Sequence, residues 1–585
     1  MRDEANVIYE FAGRRLDPAR RLLTHGGRPV ALFPRCLDAL LLLVERRGEL
    51  LDKDFLLRSL WPDVVVDENS LAKVISDIRR TLGETRDSGC IETLPRRGYR
   101  FVAPVEVLHA ADVAPVPGGT SKEGIRALAV LPLTFLNPEP GHEWLSLGLA
   151  DALISRLGHL RHTLVRPTSS ITRYAGTAVV PTQAGRELGV DAVITGSIRR
   201  AGSMVRVSVQ LVSVAIDAVS WAEKFDAEVS STLALEDSIA ERVATALTLA
   251  LARDAPPSVP RHRADADAHE HYIRARYLIA KRTRASLQEA IACLERAIAI
   301  DPRFALAHAG LSESWIQLGL RAAVSQSLRP REAMPKARAA AEKALALDDE
   351  LSEAHATLGQ VLVTYEWNRP AGMAELQRAI ELNPNNQNAQ HWYAMALGGL
   401  GRFDEALAQI QRALAIDPLA VIVNANVGYL LYRAGRIDEA VTKLRHTVAM
   451  EPGFVMTRYR LGLALEARGR YEEALAEFEA MQPSSADPLG LTGIARTRAL
   501  MGQQAEARRL LDELHTIART GYVPAATLAD VHVALGEHDR AIDLLEQAVE
   551  ERAIIVMWMS TERHWDPLRT HPKFPALLER VGLQD

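Results

Sequence analysis

The C-terminal half of the chain repeats itself with a period close to 34 residues, and this period limits the fold more than any other feature. A motif of the form Gly-x-x-x-x-Ala begins at Gly401, Gly435, Gly469, Gly502 and Gly536, with spacings of 34, 34, 33 and 34 residues. A second motif runs in phase with it and ends at Pro302, Pro384, Pro418 and Pro452. Since Pro cannot continue a helix, each period predicts a pair of helices that ends before the next pair begins.

The period, the small residues and the terminal Asp-Pro or Asn-Pro resemble the tetratricopeptide (TPR) repeat. Small residues such as Gly428 and Ala406 let paired helices approach closely. We therefore predict an all-α TPR solenoid over residues 265–555, and a C-terminal cap over residues 556–585, which no longer fit the pattern. Earlier repeats are looser, and Trp367 stands where later repeats have the turn glycine.

A solenoid of this kind presents a concave groove, on which we expect a protein or peptide partner. A scaffold or dimerisation surface without a separate ligand explains the repeats equally well, so a homodimer is a second expectation. The sequence of the repeats does not decide between the two.

Near the N-terminus, the segment Glu68–Leu82 reads as a helix with two different faces. Its apolar face carries Leu71, Val74, Ile75, Ile78 and Leu82. Its polar face carries Asn69, Lys73, Ser76, Asp77 and Arg80. Because that polar face has cations and no large apolar side chain, it is suited to the DNA major groove, where such groups meet base edges and phosphates.

The residues around this helix complete a small α+β domain over residues 1–105. Short strands are predicted at Val7–Phe11 and around Leu22 and Val30, and helices at Pro34–Arg47 and Lys53–Trp61. After the third helix, Ile91–Val102 reads as a hairpin whose turn carries Arg96, Arg97 and Gly98. This order of elements is typical of a winged helix-turn-helix.

Three quoted stretches carry a family resemblance: LFPRCLDALLLLVERRGELLDKDFLLRSLWP, IRRTLG and LPRRGYRFVA. Together they resemble the effector domain of OmpR/PhoB-type transcription regulators over nearly the full length of residues 1–105, which we call the head. In that family the third helix lies in the major groove, and the wing reaches the adjacent minor groove. The loop before the helix, here Asp63–Asp67, can contact RNA polymerase. Because the winged helix starts at the N-terminus, we expect no receiver domain ahead of it.

The resemblance assigns roles to eight residues. Asn69 and Ser70 would lie at phosphates near the helix start, while Lys73, Ser76 and Asp77 would face bases. Arg80 would contact the far backbone, and Arg96 and Arg97 would enter the groove beside the wing.

Two positions depart from the family pattern, because Asp77 and Pro95 stand where relatives often have Arg. Asp77 could accept a hydrogen bond from a cytosine amino group, or it could cap a neighbouring Arg. The alternative for the cations, Arg79 among them, is that they are solvated surface charges.

Charge is distributed unevenly along the chain. Residues 1–105 contain 18 Lys and Arg against 16 Asp and Glu, and the remaining residues contain 51 against 58. A mildly basic head on an acidic body agrees with a local DNA contact rather than with coating of nucleic acid.

Between two linkers, predicted at 106–124 and 253–264, residues 125–252 alternate strands and helices and predict a small α/β domain. The phrases LAVLPL, ELGVDAVITGSIRRAGSMVRVSVQLV and SWAEKFD resemble the TolB-amino-terminal-like module. That resemblance implies no catalytic residues. A final helix is predicted at Leu235–Leu251.

Motifs for catalysis and cofactor binding are missing from the sequence, which has no GxSxG, Walker A or GxGxxG. Asp151 with His142 and Glu143 reads as an acidic helix start rather than a site. His262, His269 and His271 near Glu270 read as surface residues, because no ligand quartet completes them. We therefore expect no enzyme activity, no cofactor and no metal.

The three cysteines form no CxxC pair, and no apolar run approaches the roughly 20 residues of a membrane helix. We expect a soluble protein of the cytoplasm.

Taken as a whole, the sequence predicts a transcription regulator that binds promoter DNA through the winged helix and receives protein partners or signals through the other domains. The alternative is a TPR interaction scaffold without specific DNA binding. A cyclase or hydrolase hidden in the middle domain is a third, weaker interpretation.

Overall fold

The computed structural model of the chain describes residues 7–18, 22–26, 28–30, 32, 34–60, 68–84, 89–95, 97–109, 125–136, 143–158, 163–177, 179–201, 204–215, 217–228, 265–320, 328–481 and 488–583. The predicted helix at Leu235–Leu251, the linker at 253–264 and most of the linker at 106–124 lie outside these residues. The predicted fold class is confirmed: an α+β head is followed by an α/β domain and an all-helical array.

In the described residues, the head combines short strands with three helices. Its strands are β1 Val7–Phe11, β2 Arg14–Asp17, β3 Leu22–His25, β4 Arg28–Val30, β5 Leu51–Asp52, β6 Ile91–Leu94, β7 Gly98–Phe101 and β8 Glu106–His109. Its helices are α1 Pro34–Glu45, α2 Lys53–Leu60 and α3 Glu68–Thr81. One antiparallel sheet has the order β4-β3-β2-β1-β8, and a second has the order β5-β7-β6.

The start of the predicted linker differs from the prediction. Glu106–His109, placed in the linker at 106–124, instead pairs antiparallel with β1, where Tyr9 lies opposite Val107. This strand has no clear local signal, because its four residues show no alternation and it pairs with β1, at the other end of the head.

Gly98 allows the two ends of the second small sheet to meet. It opens β7 with φ +153°, and a Cβ added there would lie 2.0 Å from the carbonyl oxygen of Leu51. The residue lies opposite Asp52 on one side and Leu94 on the other. The wing hairpin is therefore held to the rest of the head at a point where only glycine fits.

The middle domain is built on a mixed sheet. Its strands are β9 Ala127–Val130, β10 Thr134–Phe135, β11 Leu164–Val165, β12 Ala192–Ala201, β13 Met204–Ser213 and β14 Ala218–Glu228. The order is β11-β9-β12-β13-β14, with β10 beside β12; β9, β10, β11 and β12 are parallel and the last two antiparallel. The described helices are α4 Glu143–Leu157, α5 Thr168–Ile171 and α6 Pro181–Glu187. Together they enclose one apolar core.

The array consists of consecutive helices that each pack against the next. Its helices are α7 Ala266–Ala280, α8 Arg284–Ile300, α9 Ala305–Leu320, α10 Pro330–Leu347, α11 Ser352–Val361, α12 Arg369–Leu382, α13 Gln387–Gly399, α14 Phe403–Ile416, α15 Val421–Arg433, α16 Ile437–Met450, α17 Val455–Ala467, α18 Tyr471–Glu479, α19 Pro488–Leu500, α20 Gln504–Thr520, α21 Ala525–Ala534, α22 His538–Glu550 and α23 Phe574–Arg580. Two 3-10 helices, Ile554–Trp558 and Arg563–Leu568, come before α23. Within the described parts of the chain, every helix is too short or too polar to span a lipid bilayer.

The turn glycines of the repeats have the backbone conformation that the motif predicts. The five glycines of the motif have φ between +76° and +79°. Trp367, which takes the same place in an earlier repeat, has φ +61°, a value that a bulky side chain rarely adopts. The guanidinium carbon of Arg552 lies 4.0 Å from the centre of its ring. The strained turn is thus covered by a residue from the far end of the array.

The middle domain is anchored to the array by a buried arginine. Arg166 is 3% exposed, and its Nε and Nη2 donate to the carbonyls of Leu188 and Gly189, both at 2.9 Å. Its Nη1 donates to the carbonyls of Ala415 and Ile416, at the C-terminal end of α14. A cation is favoured at that end of a helix, because the helix dipole and the last unpaired carbonyls are negative there.

We expect the variant Gly98→Ala to destabilise the head by about 2–4 kcal/mol, because the new methyl group would overlap the Leu51 carbonyl. Hydrogen exchange of the α1 amides, measured on the full chain, reports opening of this domain alone. A loss of this size would speed their exchange about 30-fold or more.

Gly48→Ala is the matched control, since Gly48 also has positive φ, at +81°, but has open space around its Cβ position. It should cost only about 1 kcal/mol. Equal effects of the two variants would contradict the proposed close approach at Gly98.

Candidate nucleic-acid interface

Helix α3 has the two faces that its sequence predicts. Leu71, Ile75 and Ile78 are at most 1% exposed and pack in the core of the head, where α3 meets α1 and α2. Lys73 and Ser76 lie on the outer side and are exposed. The buried stripe therefore fixes which side of α3 is turned outward, and that side is polar and basic.

Asp77 and Arg80 form an ion pair one turn apart on the outer side of α3. Arg80 Nη2 donates to Asp77 Oδ1 at 2.6 Å. The Arg80 side chain remains 76% exposed, whereas that of Asp77 is 19% exposed. Of the two interpretations of Asp77, the structure shows the cap on a neighbouring Arg. The pair also lowers the positive charge that α3 presents.

Arg79 is not a solvated surface charge, which was the alternative considered for it. Its Nη2 donates to the carbonyl of Ile91 at 2.8 Å and to Thr93 Oγ1 at 2.7 Å. Its Nε lies 3.5 Å from Glu84, whose other carboxylate oxygen accepts from the Cys90 amide at 2.8 Å. Arg79 therefore joins the end of α3 to strand β6 and sets the position of the wing. No local sequence signal distinguishes it from Arg80.

The wing turn presents a cation at its tip. Arg97 is exposed, and its amide donates to the carbonyl of Leu94 at 3.0 Å, which closes the turn between β6 and β7. Its neighbour Arg96 lies outside the described residues. Across the hairpin, Arg100 pairs with Glu92 at 2.6 Å, so that cation is already engaged.

The remaining assigned residues are placed only in part. Asn69 and Ser70 lie in the first turn of α3, but their side chains are outside the description. The loop Asp63–Asp67, the expected polymerase contact, is also outside it. In the described part of the head, the structure thus brings Lys73, Ser76, Asp77 and Arg80 onto one face of α3.

The concave groove of the array is a second candidate binding surface, for a protein partner. The C-terminal segment, residues 554–568, covers part of this groove. Within this segment, the carbonyl of Trp558 accepts a hydrogen bond from Arg433 Nη2 at 2.7 Å. The indole Nε1 of Trp565 donates to Asp530 Oδ1, also at 2.7 Å. These contacts join α15 to α21. Because distant repeats of a curved array approach each other only on its concave side, the segment lies in the concave groove. The predicted cap at 556–585 thus also fills the inside of the array.

A buried ion pair holds the C-terminal segment in place. Arg433 Nη1 donates to Glu562 Oε2 at 2.7 Å, and both side chains are 0% exposed. Burial alone would raise the pKa of Glu562, but Arg433 and His564 lower it to about 2. Tyr429 also donates to this carboxylate. One carboxylate oxygen therefore faces Arg433 and the other lies 3.1 Å from His564 Nδ1, and the carboxylate is ionised at neutral pH.

No group of three or more His, Cys, Asp or Glu side chains that could hold a metal occurs among the described residues. His262, from the histidine cluster considered above, lies outside them, as does His142 beside the acidic helix start. Asp151 is 4% exposed and faces the array rather than solvent.

The geometry defines the head as a winged helix with an outward basic helix, and family models agree. Residues 27–101 match the model described as "Transcriptional regulatory protein, C terminal". Residues 124–242 match "HilA/YgeH-like transcriptional regulator, second domain", and three models described as "Tetratricopeptide repeat" match 375–408, 427–488 and 523–547. The chain therefore carries an OmpR/PhoB-type domain, a HilA-like second domain and TPR repeats. The sequence of the middle domain resembles the TolB-amino-terminal-like module, whereas the family model that matches this domain is named for HilA and YgeH.

Three relatives show how far the similarity extends. "Transcriptional regulator HilA" of Salmonella typhimurium is 36% identical over 110 residues, which are 19% of this chain and 18% of the relative. "Transcriptional activator CadC" of Escherichia coli is 30% identical over 90 residues, 15% and 18% of the two chains. "Putative adenylate cyclase 3" of Rhizobium meliloti is 30% identical over 187 residues, 32% of each. The chain thus spans about a third or less of the length of these relatives.

We expect the variant Asp77→Asn to raise the affinity for duplexes of any sequence by about fivefold, because it removes a negative charge that lies beside Arg80 and offsets the attraction of this cation to the phosphates. Fluorescence anisotropy over a series of salt concentrations would measure this, with a salt dependence steeper by about one counterion.

Asp54→Asn removes the same charge from the first turn of α2 and should leave the affinity unchanged. An unchanged or lower affinity of Asp77→Asn for a preferred duplex would instead mean that Asp77 accepts from a base.

Proposed function

We propose that the protein is a transcription regulator that binds promoter DNA in a sequence-specific way through the winged helix. The observation that carries this proposal is the outward polar face of α3, with Lys73 and Ser76 exposed on a helix whose other side is buried. The match of this domain to a model of transcriptional regulatory proteins supports it, as do the HilA and CadC similarities.

In the proposed complex, α3 lies in the major groove, which is wide enough to admit a helix. Lys73, Ser76 and Asp77 face the bases there, and Arg80 reaches the phosphate backbone. Asn69 and Ser70 bind phosphates at the start of the helix, near the positive end of its dipole. Arg96 and Arg97 enter the adjacent minor groove from the wing. Phosphate contacts fix the register of the protein, and base contacts provide its specificity.

The rest of the chain supplies the input in this proposal. The TPR array binds a protein partner, and the middle domain transmits the resulting change to the head. Because residues 554–568 occupy the concave groove, a partner there must displace them or bind elsewhere on the array. The proposal has three further parts. The Asp63–Asp67 loop contacts RNA polymerase, the protein binds paired half-sites as a homodimer, and it is located in the cytoplasm.

No catalytic role forms part of the proposal. One relative is named as a putative adenylate cyclase, but this chain spans 32% of its length. The buried carboxylate of the middle domain, Asp151, accepts a hydrogen bond from Thr168 and lies 3.8 Å from Arg276. Asp151 thus joins the middle domain to the array.

We expect the variant Lys73→Ala, in the full chain, to weaken binding to a preferred duplex by about tenfold or more, because one good base contact provides about 1–3 kcal/mol of discrimination. The preferred duplex would be selected from a random-sequence pool with the wild-type protein. Fluorescence anisotropy would then compare it with a scrambled duplex, for which the loss should be smaller.

Arg46→Ala is the matched control, since Arg46 is an exposed cation just after α1, paired with Glu49 at 4.0 Å. It should bind like the wild type. Failure of the selection to enrich any sequence, or equal affinity for both duplexes, would overturn the proposal and favour an interaction scaffold without specific DNA binding.

A further inference from the structure

Helix α3 ends in a Schellman turn, in which two amides beyond the helix bond back to carbonyls of its last turn. The amide of Gly83 donates to the carbonyl of Arg80 at 3.1 Å, and that of Glu84 to the carbonyl of Arg79 at 3.0 Å. Gly83 has φ +63°, the left-handed conformation that this turn requires. Neither bond reaches the carbonyl of Leu82. A carbonyl at the end of a helix needs a donor from outside the helix.

Arg14, the first residue of strand β2, supplies that donor. Its Nη2 donates to the carbonyl of Leu82 at 2.6 Å, across 68 positions of the chain. Its Nη1 donates to the carbonyl of Ala12 at 3.0 Å, in the turn between β1 and β2. The guanidinium therefore joins the β1–β2 hairpin to the end of α3. A cation is favoured there, because the C-terminal end of a helix is negative.

The hairpin that carries Arg14 is tight and well anchored. Phe11 lies opposite Arg14, so Ala12 and Gly13 alone form the turn, with φ +46° and +71°. Positive φ at both turn residues matches the twist of the paired strands. Phe11 is 2% exposed, and the centre of its ring lies 5.1 Å from that of Phe101. Arg14 therefore extends from a hairpin that the core of the head holds in place.

A second set of contacts holds the other side of this helix end. Arg79 bonds to Ile91 and Thr93 of β6, in the wing. Arg80, which reaches the phosphate backbone in the proposed complex, follows Arg79 and precedes the Leu82 carbonyl within the same turn. The buried stripe fixes the rotation of α3 about its axis. The contacts at its end fix where the last turn lies relative to the wing and to the sheet that contains β1 and β2.

Arg14 is placed to act through α3 rather than to contact DNA itself. Both of its terminal nitrogens donate within the protein, and the residue is half-buried. Arg15, the next residue, instead pairs with Glu10 at 2.7 Å, and its side chain is 41% exposed. Because successive side chains of a strand point to opposite faces, the two arginines lie on opposite sides of the sheet. Of the two, Arg14 is the one bonded to the end of α3.

We propose that Arg14 is a positioning residue for DNA binding, which holds the last turn of α3, and with it Arg80, in the place where that turn meets the duplex. This inference rests on the proposed function of the head. It makes the β1–β2 hairpin a part of the DNA-binding unit. Without the bond to Leu82, the end of α3 can shift. Base contacts need a fixed register and phosphate contacts tolerate shifts, so sequence-specific binding depends on Arg14 more than non-specific binding does.

Substitutions of Arg14 in the full chain test the proposal, with fluorescence anisotropy as the measurement. Arg14→Met removes both donors and should weaken binding to the preferred duplex about fivefold, and to the scrambled duplex less than about twofold. Arg14→Lys keeps the charge but not the fork that bridges two carbonyls, so its affinity should be intermediate. Arg15→Met is the matched control, because it removes the same charge from the other side of the hairpin. It should bind like the wild type.

Two further measurements separate positioning from simple stabilisation. Hydrogen exchange without DNA should be about fivefold faster for the amides of residues 82–84 in Arg14→Met, whereas the α1 amides, which report opening of the whole head, should change less. A double-mutant cycle tests whether Arg14 acts through Arg80. In an Arg80→Ala background, Arg14→Met should weaken binding to the preferred duplex only about twofold, because the contact that it positions is already absent.

Four results would overturn the inference while the wild type still selects a preferred duplex. The first is unchanged exchange at residues 82–84, and the second is faster exchange with unchanged affinity, which is stabilisation alone. The third is an equal loss for both duplexes that Arg14→Lys restores in full, which is a direct phosphate contact. The fourth is an undiminished loss in the Arg80→Ala background. Failure of the wild type to select any duplex would instead overturn the proposed function, and this inference with it.

Discussion

The burial of one side of α3 is the constraint on which the function of the head depends. Leu71, Ile75 and Ile78 are inserted into the core between α1, α2 and the small sheets, and each such side chain contributes about 1.5–3 kcal/mol when fully buried. The helix cannot rotate without exposing them. The orientation of Lys73 and Ser76 is therefore fixed by the core, before any contact with a nucleic acid.

The same core also determines where the wing lies. Arg79 follows the buried stripe by one residue, so its side chain is directed at β6 rather than at solvent, and it bonds to Ile91 and Thr93 there. Gly98 holds the other strand of the wing against β5. These contacts connect α3 to both strands of the wing hairpin, and in the proposed complex they set the spacing between the two elements.

In the array, one ion pair between residues far apart in the chain holds two parts of the structure together, as the core does in the head. The buried pair of Arg433 and Glu562 connects the middle of the array to its C-terminal segment. Breaking one partner of such a pair typically costs about 3–5 kcal/mol, because an uncompensated charge remains buried. The groove is thus filled by a segment with a strong hold on it. The segment thereby connects the repeat of α15 to that of α21.

Much of this architecture could be predicted from the sequence, because the signals are local. The turn glycines and the two faces of α3 are each visible in one continuous stretch of sequence, and the 34-residue period is visible from one repeat to the next. The contacts that assemble the domains are not local: Arg166 meets α14 about 250 residues away, and Arg276 meets Asp151 across the domain boundary. Nothing in the neighbourhood of these arginines distinguishes them from surface cations.

The central claim is that the outer side of α3 lies in the major groove. Cross-linking tests it most directly, because the three native cysteines are buried and an introduced thiol would be the exposed one. A preferred duplex would carry a thiol tether on a cytosine amino group, at the major-groove edge. The account predicts that Ser76→Cys forms a disulfide with this duplex and that Ser59→Cys, at an exposed position on α2, does not. Equal cross-linking of the two variants, or none by Ser76→Cys in a complex that still forms, would contradict it.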